Sequence, residues 1–109
     1  SKIAVDNKTS VNELKRLRSN AEEAINTSQK IINETTRTID SLEITLSEAP
    51  TYGSLATELA NVEDIIIKLK AKRDEAFVDR DNNITLANFY ASESAKVIDR
   101  LRTVGVLVK

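Results

Sequence analysis

Every seventh residue from Val11 to Leu46 falls on one line of a helix: Val11, Arg18, Ile25, Ile32, Ile39, Leu46. A second line interleaves it through Leu14, Ala21, Ser28, Thr35 and Leu42. Alternating steps of three and four keep one seam of a helix turned toward a partner helix, so this stretch predicts a long helix with a coiled-coil-like face. Leu17, Ala24 and Ile31 widen the stripe on one side. Ser10 and Glu13 fit a capping box, with Thr9 as the alternative cap, which places the helix at about 10–47. The segment 48–54, Glu-Ala-Pro-Thr-Tyr-Gly-Ser, is the one strong breaker. Pro50 disfavours helix at Ala49, Gly53 permits a left-handed turn, and Ser54 can cap a second helix.

The second pattern runs Leu55, Leu59, Val62, Ile66, Leu69, then Arg73, Ala76, Arg80, Asn83, then Ala87, Tyr90, Ser94, Val97, Leu101. Its ends are apolar and its middle is polar. No Pro or Gly lies between Ser54 and Val104, so one helix at about 55–104 is expected, bent or interrupted at most near 79–83. Gly105 suits the position just past its end. Lys2–Val5 and Val104–Lys109 are short and β-prone, and in a hairpin they would lie side by side as a joint to a larger body or as frayed ends. With Ser at position 1 and no Met anywhere, the chain reads as processed or excised.

Folded at the turn, the arms pair antiparallel, and a short turn sets Ser28 against Arg73, Ala21 against Arg80 and Arg18 against Asn83. Long cations would then meet small partners in one polar layer that fixes register at some cost in stability. The plainer reading is that the Arg stems line the seam and their heads stay in water. Ile31, Ile44, Ile65, Ile67, Phe77, Phe89 and Ile98 exceed what a two-helix seam buries. The expected fold is therefore all-α, a single domain built on a long antiparallel helical hairpin. The excess is covered either by a third helix made by breaking near Asp81 or by another copy of the chain.

Composition agrees. The chain has 109 residues, 40% of them hydrophobic, with two Gly and one Pro, too few turn residues for a sheet protein. Without Cys or His it lacks disulfides, thiolates and the usual general base and metal ligand, and no Gly-rich phosphate loop or zinc spacing occurs. No enzyme activity, cofactor or metal is expected. Asp79, Asp81, Asn82 and Asn83 offer oxygens, but neighbouring helix positions diverge. Asn-x-Ser/Thr sequons at Asn7, Asn26, Asn33 and Asn83 would matter only in a secretory setting. A cytoplasmic protein is the expectation, and no apolar run is long enough to cross a bilayer.

Charge is uneven although the net is −1. Between Thr38 and Ile67 there is no Lys or Arg, while Asp40, Glu43, Glu48, Glu58, Glu63 and Asp64 are acidic. The other end gathers Lys15, Arg16, Arg18, Lys96, Arg100 and Arg102, a candidate patch for phosphate or an acidic protein. Glu22, Glu93 and Asp99 dilute it, so nucleic acid is disfavoured as a partner. The stretch 95–109 is similar to the end of a winged-helix recognition helix on Leu101, Gly105 and Val106, which would imply DNA binding. The small-residue turn that family places before its helix is missing. The overall plan also resembles small helical chaperone cofactors of the tubulin-binding kind, echoed by 7–11 (Asn-Lys-Thr-Ser-Val) and Tyr52, without that family's Lys/Glu-dense helices. The reading that the residues carry furthest is a non-enzymatic module binding itself or another helical protein. Its core or partner seam comprises Val11, Leu14, Ile25, Ile32, Ile39, Leu42, Leu59, Val62, Ile66, Leu69, Tyr90, Val97 and Leu101.

Overall fold

The computed structural model describes residues 2–48 and 56–103, with side chains described from residue 10 onward. Two helices account for all of them: α1, Lys2–Glu48, and α2, Ala56–Thr103. The protein is an all-α helical hairpin. The Pro50–Gly53 turn, the Ser54 cap, the Gly105 helix end and the β-prone tail Val104–Lys109 lie outside the described residues.

α1 starts earlier than its capping box suggests. Ser10 and Thr9 sit inside the helix, and Lys2–Val5 forms its first turn rather than a strand. Extending a formed helix costs far less than starting one, and no Gly or Pro interrupts this end, so the β-branched Ile3 and Val5 are carried along. α2 passes through 79–83 unbroken, which removes the third-helix alternative. The same reasoning applies: five polar residues in a row, 79–83, do not end a helix when the neighbouring turns remain packed. Glu58 in its first turn and Arg100 and Arg102 in its last complement the helix dipole.

Thr is common here for a helical chain, and its hydroxyls explain why it is tolerated. Thr38, Thr45, Thr85 and Thr103 each donate to the carbonyl four residues earlier, at 3.0–3.1 Å. Thr35, which is buried, donates to Ile31 O at 2.6 Å and to Ile32 O at 3.2 Å. A buried polar side chain is thereby satisfied within its own helix.

Burial follows the heptad lines closely. Among the described residues the buried ones on α1 are Val11, Ala21, Ser28, Ile32, Thr35 and Ile39, and on α2 Ile66, Ala76, Ala87, Val97 and Leu101. All lie on two interleaved seven-residue lines per helix. Those of α2 run Leu59, Ile66, Arg73, Arg80, Ala87, Ser94, Leu101 and Val62, Leu69, Ala76, Asn83, Tyr90, Val97.

The hairpin divides into two compact units. One joins α1 up to Asn26 with α2 from Asp81; the other is Thr27–Arg80. In the first, Val11, Val97 and Leu101 form a buried cluster flanked by Leu14 and Ile98. Leu101 is 0% exposed, and covering such a side chain contributes about 1.5–3 kcal/mol. In the second, Ile32, Ile39 and Ile66 supply the aliphatic bulk and Ser28, Thr35 and Ala76 the small partners.

Candidate functional site

The seam and the outward faces are the two candidate surfaces. Of the seam residues expected from spacing, Val11, Ile32, Ile39, Ile66, Val97 and Leu101 are buried; Leu14, Ile25, Leu42, Leu59, Val62, Leu69 and Tyr90 are half-buried. Arg18 departs from its line: its side chain is exposed and pairs with Glu22 at 3.0 Å. A guanidinium facing water keeps its hydration, so the stem alone can follow the seam.

The polar layer exists in the second unit, in a different register from the expected one. Arg73 Nη1 donates to Thr36 Oγ1 at 3.4 Å, not toward Ser28. Arg80 Nη1 donates to Gln29 Oε1 at 3.2 Å, eight residues along α1 from the position a short turn sets opposite it. Lys70 Nζ meets Glu43 Oε1 at 3.0 Å on the same flank. These contacts place α2 about one heptad further along α1 than a short turn would. Both registers keep the same lines facing, so hydrophobic spacing alone does not choose between them.

Arg80 lies over the Phe77 ring, its guanidinium carbon 5.0 Å from the ring centroid. That geometry suits a cation–π contact and keeps Phe77 half-buried. Arg73 is less well served, because its Nε is buried without a hydrogen-bond partner among the described residues. Burying such a donor opposes folding.

The outward faces carry more apolar surface than the spacing singled out. Ile44, Ile65, Ile67 and Phe89 are exposed as expected, and Val78, Ile84 and Leu86 join them. Ile31, Phe77 and Ile98 are half-buried instead, because positions flanking a seam are covered by the partner helix's edge. Phe89 and Tyr90 meet edge-to-face with centroids 5.8 Å apart.

Lys15, Arg16, Arg18, Lys96, Arg100 and Arg102 are all exposed. Several are engaged by carboxylates: Arg16 by Glu13, Arg18 by Glu22 and Lys96 by Glu93 at 3.1 Å. The hydrogen bond from Arg16 holds the Glu13 carboxyl below the usual carboxylate range and raises the Arg16 guanidinium in turn. An open groove beside them is lined by Lys15, Arg18, Ser19 and Glu22, so an acid shares it with the cations. Another, in the second unit, is lined by Ile31, Lys72, Glu75, Ala76 and Asp79.

Asp79, Asp81 and Asn82 are exposed while Asn83 turns toward the seam, half-buried. No group of three or more Asp or Glu side chains among the described residues is arranged to hold a metal ion. No helix among them is long and apolar enough to cross a membrane. Of the sequon residues, Asn26 and Asn33 are exposed, and Asn33 accepts a hydrogen bond from Gln29 at 3.0 Å. Comparison of the chain with protein-family models, curated proteins and solved structures returns no match.

Proposed function

We propose that this chain is a non-enzymatic helical-hairpin module that works by contact with other helices, a second copy of itself foremost and another helical protein otherwise. The observation that carries this reading is the combination of a narrow buried seam with large apolar side chains left outside it. Ile44, Ile67, Val78 and Phe89 are each more than half exposed. Leaving them in water forgoes burial that a neighbouring helix would recover. Such a module would act in assembly or spacing, and the proposal sets it in the cytoplasm.

The basic end is weaker support for nucleic-acid binding, since Glu13, Glu22 and Glu93 already engage its cations. A chaperone-cofactor role would use the same outward faces and is contained within the proposal. Sedimentation equilibrium over a wide concentration range tests it. Apparent mass rising above 12.1 kDa is the expected result, and a mass fixed at 12.1 kDa throughout would remove self-association.

A further inference from the structure

We infer that the hairpin has a second register, displaced by one heptad, so that the arms form a two-state sliding element. Three features of the seam carry this. First, α1 offers small side chains at seven-residue spacing, Ala21, Ser28 and Thr35, while α2 offers Arg73 and Arg80 at that same spacing. A slip of one heptad therefore again lays each long cation against a small residue.

Second, one acceptor that each arginine uses on α1 is a neutral group, and the two lie seven residues apart. Arg73 uses the Thr36 hydroxyl at 3.4 Å, and after the slip it would reach the Gln29 amide that now accepts from Arg80. The buried, unpartnered Nε of Arg73 shows that the present register leaves this layer imperfect.

Third, the aliphatic residues repeat with the seam. Ile32 and Ile39 would exchange one set of apolar neighbours on α2 for another, because Val62, Leu69 and Ala76 lie on one line. Such a slip moves one helix about 10 Å along the other.

The present register has two anchors. Lys70 pairs with Glu43, and Leu101, fully buried against Val11 and Val97, would move past the residues that cover it. A ligand or partner contacting the ends of the helices could thus bias the equilibrium, which is how a hairpin arm would pass a signal along its length.

The chain has no Cys, so disulfide trapping reads the register cleanly. A triple variant Val11→Cys, Tyr90→Cys, Val97→Cys offers one thiol on α1 a choice of two on α2. Under reversible thiol exchange at high dilution, the 11–97 bond reports the present register and the 11–90 bond the slipped one. Minor states of this kind are commonly populated at about 0.1–10%. The expected result is an 11–90 fraction at least several-fold above that of an 11–83 bond in a Val11→Cys, Asn83→Cys control, which lies a further heptad away. Adding Leu101→Ala should raise the 11–90 fraction several-fold. An 11–90 yield no greater than the control, unchanged by Leu101→Ala in chains that remain helical by circular dichroism, would overturn the inference. If the triple variant is not helical, double electron–electron resonance between nitroxides at exposed Asn12 and Lys96 decides the question: a second distance that gains weight on adding Leu101→Ala supports the slip, and a single distance unchanged by Leu101→Ala contradicts it.

Discussion

The guanidinium of Arg80 stacks on the ring of Phe77, 5.0 Å from its centroid, while reaching across to Gln29 on the other helix. One residue thus ties an aromatic side chain of its own helix to a polar group of the neighbour. Phe77→Ala should weaken folding by more than its half-exposed area suggests, with about 0.5–1 kcal/mol of that from the lost cation–π contact. Urea unfolding of Phe77→Ala, Arg80→Leu and the double variant, taken as a cycle, measures the coupling.

Arg73 should behave in the opposite sense. Its Nε is buried without a partner, so Arg73→Leu removes a desolvated donor and adds aliphatic contact. A gain of about 1–3 kcal/mol in urea unfolding is expected. A loss of stability would mean that the Thr36 hydrogen bond outweighs the burial.

Leu101 and Phe89 make a contrasting pair on the same helix, one 0% and the other 55% exposed. Leu101→Ala should cost about 2–5 kcal/mol, through the cavity it leaves beside Val11 and Val97. Phe89→Ala should fall within about 0.5 kcal/mol of the parent in the dilute monomer. Thermal unfolding of the two variants at low concentration separates them.

The heptad seam was legible in the sequence because its spacing is the cause of burial: Val11, Ile32, Ile39, Val97 and Leu101 are buried where the lines put them. The start of α1 was not, since Ser10 and Glu13 satisfy a capping pattern that a longer helix has no need to use. The register escaped for a deeper reason. A periodic seam is unchanged by a slip of one period, and only contacts such as Arg73 with Thr36 distinguish the alternatives. Outward residues were hard to sort because flanking positions such as Phe77 and Ile84 share a heptad line yet differ in cover.

Glu13 gives a pH signature at the Val11 end of α1. The hydrogen bond from Arg16 lowers its folded pKa, so the pair stabilises the helix above the ordinary carboxylate range, and that contribution is lost as pH falls through the lowered value. In an NMR titration the Glu13 side-chain carbon should titrate at lower pH in the parent than in Arg16→Gln. Equal midpoints would show that the exposed pair does not persist in water.

The proposal that this hairpin works through its outward apolar residues is tested most directly by sedimentation of the parent beside a variant carrying Ile44→Lys, Ile67→Lys, Val78→Lys and Phe89→Lys. These side chains are more than half exposed in the single chain, so the variant should keep its helical circular dichroism. The parent should gain apparent mass with concentration while the variant stays at 12.1 kDa. Equal masses for the two chains at every concentration, both remaining helical, would contradict the account.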